Sequence, residues 1–589
     1  MNPPEPQDAN PDDTAAPSLP APSPVPPVIS AAREAAAFVA SIFVDAGAQA
    51  PVAGSGAAAA RQAATPDPGG MAATPVAPGW PGEQAKTWHG ENVLVLGLGD
   101  SGLALARWCV RCGAQVTVAD TREAPPQLAA LQAELPQVRF IAGTFGALLV
   151  QGQRLAAVFR SPGLSPEAVG PVLAAAAAEG IRVGGELDLY AGALHALRNA
   201  HGYAPAVLAI TGTNGKTTVT ALAGLLVEQW GKTVAIAGNI GPTLLDTLAA
   251  RIEAGTLPQV WVVELSSFQL DGVQGFEPTA SAVLNVTQDH LDWHGSMDAY
   301  AAAKQRVFGS RGLMVLNRED RLVMKMLPQP VRQKGGKYEQ RAYLTFGADM
   351  PQRPGDYGIE VVNGMAWLVR ALEADETRKK RGEAEEEVHI QRLMPADALR
   401  IRGRHNAVNA LSALALAGAA GCPLGPMLYG LREYRGEPHR VESIGIVSGV
   451  EYFDDSKGTN VGATVAALLG LGAERKLVVI LGGDGKGQDF SPLAAPAARH
   501  VRAAVLIGRD APLIRAVLEP AGVVLLDAES MEQAVVLAAG RARSGDAVLM
   551  SPACASFDMF RNYPHRAEVF RAAVRSLADE AGVELEVLQ

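Results

Sequence analysis

From residue 92 onward the chain repeats one pattern, in which a short apolar run ends in a polar loop and an amphipathic stretch follows. Short apolar runs bounded by glycine-rich loops are typical of buried parallel strands. The strands that this pattern predicts are residues 92–96, 115–120, 156–159, 206–210, 260–263, 282–286, 450–453, 477–481 and 547–550. Because strands and helical stretches alternate, we predict an α/β fold with parallel sheets.

The first 85 residues lack this pattern. Of the 40 prolines in the chain, 16 precede Lys86, and the region is also rich in alanine and serine. Proline removes backbone donors and fixes φ, so we predict a disordered extension over residues 1–85, with at most a frayed helix at residues 35–44. Acidic residues precede that helix, which argues against a secretory signal. We expect catalysis to be unchanged when the extension is removed.

Composition excludes several classes of function. The 589 residues carry a net charge of -10, which argues against a protein that binds bulk nucleic acid. No run of about 20 apolar residues occurs, so no membrane span is expected. Four cysteines fit a reducing, cytoplasmic compartment. Cys109 and Cys112 fall in a predicted helix, where packing is a better interpretation than a metal or redox site.

A glycine loop follows the first predicted strand. Residues 97–102 read Gly-Leu-Gly-Asp-Ser-Gly, a helical stretch follows, and Asp120 ends the second strand. Such a unit can hold a diphosphate at the helix N-terminus and a ribose hydroxyl on the acid. It fits a nicotinamide-dependent dehydrogenase, a UDP-sugar site or a plain strand–helix turn, and these residues leave all three open. Residues 161–163, Ser-Pro-Gly, form a further predicted loop at the end of a strand.

A phosphate loop follows the strand at residues 206–210. Residues 211–218 read Thr-Gly-Thr-Asn-Gly-Lys-Thr-Thr and lead into an apolar helix. Backbone N–H groups and the helix dipole would hold the phosphates, Lys216 would neutralise the β- and γ-phosphates, and the Thr217 hydroxyl would contact Mg²⁺. The sequence therefore predicts nucleotide binding.

Other strand ends in this block carry polar side chains. Glu264 ends one strand and is a natural Mg²⁺ ligand, and Asn239 lies on a glycine-flanked loop. His290 is either a surface histidine or a ligand beside the nucleotide. The charge-dense stretch at residues 370–388 is predicted to be a solvated loop or a surface helix.

Three loops of the last block bring basic and hydroxyl side chains to one predicted sheet edge. These loops contain Lys457, Thr459, Lys486 and Ser556. Such a cluster suits an anionic substrate, although each loop taken alone also fits an ordinary helix cap or turn.

Together the motifs resemble the Mur ligase family. The resemblance is carried by residues 211–217, by Glu-Leu-Ser-Ser-Phe-Gln-Leu at 264–270 and by Asn-Val-Thr-Gln-Asp-His-Leu-Asp at 285–292. In the last block, Asp-Ser-Lys-Gly-Thr-Asn, Gly-Gly-Asp-Gly-Lys and Ser-Pro-Ala-Cys-Ala-Ser-Phe-Asp resemble the members that add D-glutamate. The chain departs from the family's usual residues at Asp100, Gly458, Tyr563 and Ala567.

The resemblance implies an ATP-dependent, ADP-forming amide ligase that joins UDP-N-acetylmuramoyl-L-alanine and D-glutamate in peptidoglycan precursor synthesis, acting as a monomer. It implies two Mg²⁺ ions and a carbamylated Lys304, a residue that would otherwise be interpreted as a solvated helix residue. It also implies a Rossmann-like UDP-binding domain at residues 86–203, a central P-loop ATPase-type domain at 204–436 and a Rossmann-like amino-acid-binding domain at 437–589.

The same resemblance assigns the site residues. The catalytic residues it implies are Lys216, His290, Lys304, Glu264, Asn239 and Arg440. The ATP-binding residues are Gly212, Thr213, Asn214, Gly215, Lys216, Thr217, Thr218, Asn406, Asn409, Arg440 and Asp455. Those for the UDP-linked substrate are Ser101, Asp120, Thr121, Arg122, Gly163, Asn239 and His290. Those for D-glutamate are Lys457, Thr459, Lys486, Ser556 and Tyr563, and the metal ligands are Thr217, Glu264, His290 and Lys304.

Overall fold

Three β-sheets organise the part of the chain that the computed structural model describes, which is residues 88–332, 338–373 and 388–585. The predicted extension at residues 1–85 and the helix at 35–44 lie outside the described residues. Within the described ranges, no helix combines the length and the apolar character that a membrane span requires.

The first sheet contains five parallel strands. Their order across the sheet is Arg139–Ala142, Gln115–Asp120, Asn92–Leu96, Leu155–Arg160 and Arg182–Gly184. Its helices are Asp100–Arg111, Leu128–Glu134, Pro166–Ala178 and Glu186–His201, with a 3-10 turn at Ala147–Leu149. Each parallel pair requires a crossover connection, which explains why helices separate most of the strands along the chain.

The central sheet contains nine strands. Their order is Val388–Pro395, Met365–Glu373, Tyr357–Val362, Tyr343–Phe346, Leu313–Asn317, Ala280–Val283, Ala206–Thr211, Val260–Glu264 and Val234–Gly238. The first two pairs in this order are antiparallel, and the other pairs are parallel. Its helices are Lys216–Gln229, Leu244–Glu253, Ser267–Leu270, Leu291–His294, Met297–Gln305, Arg321–Met324, Arg404–Ala419 and Leu424–Glu433. Smaller elements are 3-10 turns at Arg306–Phe308 and Ala396–Ala398 and a hairpin of Val331–Arg332 with Tyr338–Glu339.

The third sheet contains six strands, of which only the first pair is antiparallel. Their order is Glu442–Val447, Val450–Asp454, Ala547–Met550, Leu477–Gly482, Val501–Ile507 and Val524–Asp527. The helices are Val461–Gly472, Ala494–His500, Ala511–Leu518, Met531–Arg541 and Tyr563–Glu580, with a 3-10 turn at Ser491–Leu493. The predicted α/β class with parallel sheets is therefore confirmed.

Two of the sequence predictions are wrong in detail. The strand predicted at residues 282–286 is Ala280–Val283, because the chain then leaves the ladder and Asn285 turns its backbone and side chain to the phosphate loop. The charged stretch at 370–388 is not only a surface loop or helix, since residues 370–373 belong to the strand Met365–Glu373. Residues 374–387 lie outside the described ranges.

One apolar core joins the first and central sheets. It includes Trp108 and Tyr190 on the first sheet's helices and Trp261 on a central strand, and the Tyr190 and Trp261 rings meet edge to face with centroids 5.4 Å apart. The buried Glu186 side chain accepts from Leu245 N at 3.0 Å, at the start of a central helix. Separate clusters cover the two faces of the third sheet. This packing fixes the first sheet's loops relative to the central strand ends.

Candidate functional site

The phosphate loop turns sharply between the strand Ala206–Thr211 and the helix Lys216–Gln229. Gly215 caps that helix with φ of 84°, and a Cβ there would lie 2.7 Å from Asn409 Oδ1, so only glycine fits. Lys216 Nζ folds back over the loop and donates to Gly212 O at 3.0 Å and Thr213 O at 2.9 Å. Burial lowers the pKa of Lys216. The loop thus holds a cation against its own backbone carbonyls.

Lys304 reaches the same loop from the helix Met297–Gln305. Only 1% of the residue is exposed, so the interpretation of Lys304 as a solvated helix residue is wrong. Its Nζ donates to Gly212 O at 2.8 Å and lies 4.5 Å from the centroid of the Tyr300 ring. Burial, together with the charge of Lys216, lowers the pKa of Lys304 well below its usual value. Two lysines therefore share one backbone carbonyl.

Glu264 lies at the end of a central strand with 1% of its surface exposed. Its Oε1 accepts from Asn239 Nδ2 at 2.9 Å, and its Oε2 is buried without a hydrogen-bond partner among the described residues. A buried carboxylate oxygen without a partner is costly, and a cation would satisfy it. Asn239 is itself held by a hydrogen bond from its N–H to Glu264 O at 2.8 Å.

His290 is a non-glycine residue with φ of 54° at the start of the short helix Leu291–His294. Its side chain is 44% exposed, and its ring packs edge-on to Phe268 at 4.7 Å between centroids. Its Nε2 lies 3.7 Å from Asp289 Oδ2. Desolvation lowers the pKa of His290, which favours the neutral imidazole that can act as a ligand.

A cleft of about 100 Å³ separates the phosphate loop from the third sheet. Its lining includes many of the residues assigned to ATP: Asn214, Gly215, Thr218, Asn406, Asn409, Arg440 and Asp455. Asn409 Nδ2 donates to Asn406 Oδ1 at 3.2 Å on one face of the helix Arg404–Ala419. The structure therefore brings the two asparagines to the loop although nearly 200 residues of sequence separate them from it.

Arg440 and Asp455 contribute charges to this cleft from the third region. Arg440 donates to the Thr217 hydroxyl at the start of the phosphate-loop helix. Asp455 accepts from Ser551 Oγ at 2.6 Å, and burial raises its pKa to about 7. Arg440 lies between His439 and Val441, which both have positive φ, of 64° and 50°, a costly conformation for non-glycine residues.

The loops of the third sheet place the residues assigned to D-glutamate at one edge. Lys457 Nζ lies 3.9 Å from the centroid of the Tyr563 ring, and Thr459 follows on the same loop. Lys486 is exposed with φ of 52°, whereas Ser556 is 3% exposed. Paired backbone hydrogen bonds between residues 484 and 555 hold the last two loops side by side.

The glycine loop of the first sheet is closed by Asp120. This carboxylate accepts from Leu98 N at 2.7 Å and from Arg122 N, Nε and Nη2 at 2.8–2.9 Å. The hydrogen bonds from Arg122 lower the pKa of Asp120 to about 2. Thr121 and Gly163 are exposed and Ser101 is half-buried around this loop.

A cluster of His439, Glu442 and Asp454 has the composition of a metal site, but a guanidinium already lies in it. Arg571 contacts both carboxylates, with Nε 3.2 Å from Asp454 Oδ2. His439 Nδ1 lies 2.8 Å from the same oxygen. We interpret the cluster as support for the turn that carries Arg440.

The sequence did not reveal several residues that hold the loops together. Arg566 is fully buried and donates to Ser456 O at 2.8 Å and to Cys554 O at 3.1 Å, which ties two loops of the third sheet. Asn460 contacts the phosphate loop directly. The sequence places Asn460 within a recognised motif but carries no signal for its partners.

Cys109 and Cys112 are buried, and burial raises the pKa of Cys112 to about 11, which agrees with a packing role.

Comparison with known families finds three matches along the chain. They are the Mur ligase MurD-like N-terminal domain at residues 91–185, the Mur ligase middle domain at 210–417 and the Mur ligase glutamate ligase domain at 439–554. The three follow one another in the order of the three sheets.

Curated relatives match across nearly their whole length. A protein of Albidiferax ferrireducens named UDP-N-acetylmuramoylalanine–D-glutamate ligase is 69% identical over 496 residues, which cover 84% of this chain and 98% of the relative. Proteins of the same name from Polaromonas and from Burkholderia mallei are 59% and 57% identical, each over 84% of this chain and 99% and 98% of the relative.

Proposed function

The chain belongs to the Mur ligase family, and from this premise we propose that it is the ATP-dependent, ADP-forming ligase that joins D-glutamate to UDP-N-acetylmuramoyl-L-alanine in peptidoglycan precursor synthesis. The observation that carries this proposal is the 69% identity to a relative of that name over 98% of the relative's length. The geometry supports it, because the phosphate loop and two basic residues of the third region, Arg440 and Lys457, line one cleft.

The reaction must activate a carboxylate, which is a poor electrophile because it is already anionic. The γ-phosphoryl group of ATP passes to an oxygen of the substrate's terminal carboxylate, and ADP leaves. The D-glutamate amine then attacks the carbonyl carbon of the acyl phosphate, inorganic phosphate leaves, and the new amide nitrogen loses a proton. Phosphoryl transfer requires mainly positioning and charge neutralisation.

Cations at the phosphate loop support the first step. Lys216 lies against the loop carbonyls, and Arg440 reaches the Thr217 hydroxyl from the other side of the cleft. We propose that both turn to the ATP phosphates when the nucleotide binds. Asn406, Asn409 and Asp455 line the same cleft, and we assign them to the nucleoside.

Magnesium fits the residues present. Glu264 Oε2 is a buried oxygen without a partner among the described residues, and the Thr217 hydroxyl lies on the loop itself, so we assign these two to one ion. Bound Mg²⁺ would neutralise charge on the transferring phosphoryl group. An ammonium cannot ligate a cation, but a carbamate can. We therefore propose that Lys304, which burial biases toward the neutral amine, is carbamylated and with His290 holds a second ion.

We propose that the two remaining substrates bind different regions of the chain. For the UDP-linked substrate we propose residues 86–203, with Ser101, Thr121, Arg122 and Gly163 at the loop edge and with Asn239 and His290 from the central domain, residues 204–436. Asp120 already accepts hydrogen bonds from Leu98 and Arg122, so we assign it to shaping the loop.

D-Glutamate is proposed to bind the third region, residues 437–589. Lys457 and Lys486 would offset the two carboxylates of the amino acid, and Thr459, Ser556 and Tyr563 would complete the pocket. The substrates are small molecules, and we propose that the protein acts as a cytoplasmic monomer.

The test is phosphate release with ATP, UDP-N-acetylmuramoyl-L-alanine and D-glutamate, with each omitted in turn. We expect release only when all three are present. Release that does not depend on D-glutamate would overturn the proposal, and reduction of NAD by the protein would favour the dehydrogenase interpretation of the first glycine loop.

A further inference from the structure

Asn460 joins the third sheet's region to the phosphate loop through its side-chain amide. Its Nδ2 donates to Asn214 Oδ1 and to Asp289 Oδ2, each at 3.2 Å. Its Oδ1 accepts from Asn214 Nδ2 at 3.2 Å and from Ala463 N at 2.9 Å. A primary amide offers two donors and two acceptor sites, so this side chain uses its full capacity.

The partners of Asn460 belong to two separate loops and to the helix that Asn460 caps. Asn214 lies in the phosphate loop, Asp289 follows the strand Ala280–Val283, and Ala463 is in the first turn of the helix Val461–Gly472. The contacts to Asn214 and Asp289 span 246 and 171 residues of sequence. Asn460 is 6% exposed, so water does not replace these partners easily.

Neighbouring residues show that the helix is docked closely. A Cβ on Gly462 would lie 2.7 Å from Thr287 Oγ1 and 3.3 Å from Asn214 Nδ2, which leaves no space for a larger residue. The backbone of the third region therefore approaches the phosphate loop at this point as closely as packing allows.

We propose that Asn460 is a positioning residue that sets the register of the amino-acid-binding region against the phosphate loop. Lys457 and Thr459 precede it on the same short loop, and Thr459 N donates to Lys457 O at 2.9 Å, so the three move as a unit. The inference rests on the proposed function, because its consequence is that the amine reaches the acyl phosphate only when this amide is paired.

A purely structural role for Asn460 as a helix cap is the alternative, and one substitution separates the two. Aspartate caps helices as well as asparagine does, so Asn460→Asp keeps the acceptor for Ala463 N. It cannot donate to Asn214 Oδ1, and it faces the Asp289 carboxylate. The matched control is Ser530→Ala, which removes only the cap of the helix Met531–Arg541, where Ser530 Oγ accepts from Gln533 N at 3.2 Å.

The experiment compares steady-state phosphate release and thermal unfolding of the full-length wild type, Asn460→Asp and Ser530→Ala. For Asn460→Asp we expect kcat/KM for D-glutamate to fall about tenfold or more, with the KM for the UDP-linked substrate unchanged. The unfolding midpoint falls as well, because a buried carboxylate then faces Asp289, so the kinetics make the distinction. For Ser530→Ala we expect a lower midpoint with unchanged kinetics. Wild-type kinetics in Asn460→Asp would overturn the proposal.

A double-mutant cycle measures the coupling between positions 460 and 289, which a helix cap alone would not produce. Asp289→Asn supplies an amide that can donate to an aspartate at position 460, so the Asn460→Asp defect should shrink several-fold in the Asp289→Asn background. Defects that simply multiply would contradict the positioning role of Asn460.

A readout independent of activity separates this inference from the proposed function. If wild-type phosphate release proves independent of D-glutamate, the proposed function fails, but amide hydrogen exchange still tests the contact. We expect exchange at residues 212–216 to be faster in Asn460→Asp than in the wild type, since their anchor is lost. Equal exchange rates would overturn the inference.

Discussion

The glycine loop of the first sheet and the phosphate loop of the central sheet both join a buried strand to a helix. They differ in how far along the sequence the residues that contact them lie. The first loop is closed by Asp120, 22 residues beyond Leu98. The second is completed by Lys304, Arg440 and Asn460, whose contacts span 92, 223 and 246 residues. The first is a self-contained local unit, whereas the second is completed only when residues up to Asn460 have folded against it.

The two loops also differ in whether a ligand could replace the partners of their charged side chains. In the first loop the hydrogen bonds of Asp120 are made within the loop itself, so we expect the loop to be rigid. At the phosphate loop, cations donate to backbone carbonyls and a threonine hydroxyl, partners that a phosphate group would replace. The substitutions below test whether the two loops separate binding from chemistry.

The largest effect is expected for Lys216→Ala. Removal of the cation that neutralises the transferring phosphoryl group should lower kcat by about a thousandfold. Affinity for the UDP-linked substrate, measured by calorimetry, should remain, because the first loop lies outside the change. Lys232→Ala is the control, since Lys232 lies over the Trp230 ring at 4.6 Å rather than on the loop. Turnover retained by Lys216→Ala would remove this lysine from the mechanism.

Lys304→Met is expected to lower kcat by about a hundredfold, because methionine fills the space but cannot form a carbamate. Stability should not fall, since an apolar side chain removes a buried polar group whose desolvation is costly. Steady-state kinetics and thermal unfolding of the same preparation check both parts. Activity within about threefold of the wild type would mean that no ligand at position 304 is needed.

Sequence patterns predicted the strands and the local loops well, because these depend on near neighbours. Thr211 to Thr218 could be recognised from eight consecutive residues, and the glycine loop with Asp120 from fewer than thirty. Burial of Lys304 could not be predicted from its helix, since a lysine among alanines is ordinary on a helix surface. Only the approach of the phosphate loop, from a strand some 90 residues earlier, makes that position internal.

The same limit applies to Asn460 and Arg566. An asparagine before a helix predicts a cap, and that prediction accounts for its bond to Ala463 N but for none of its contacts across the cleft. Arg566 lies in the helix Tyr563–Glu580 and is fully buried against two loops, which no pattern in the sequence indicates. Long-range partners of polar side chains have no periodic signal in sequence.

A smaller effect is expected for Gly102→Ala, which tests whether the first loop is rigid. A Cβ at this position would lie 2.0 Å from Gly97 O, so backbone must move, and we expect a loss of about 1–3 kcal/mol in unfolding free energy. Gly99→Ala is the matched control, because no atom lies within 4 Å of its Cβ position. Thermal unfolding of both variants checks this, and equal midpoints would show that the loop adapts freely.

The smallest effect concerns the charge that closes the first loop. Hydrogen bonds from Arg122 hold the pKa of Asp120 at about 2, below the ordinary value of about 4. A depressed carboxyl pKa stabilises the folded state above the ordinary value, and this contribution is lost as pH falls from about 4 through about 2. The difference in unfolding midpoint between the wild type and Asp120→Asn should therefore be full at pH 6 and smaller at pH 3. Arg122 is half exposed, so the gain is at most about 1–2 kcal/mol.

Glu134→Gln is the control, because the pair of Glu134 with Arg107 lies at the surface and its loss should change the midpoint less at pH 6. A difference for Asp120→Asn that stays constant down to pH 3 would mean that the shape of its side chain, and not its charge, closes the loop.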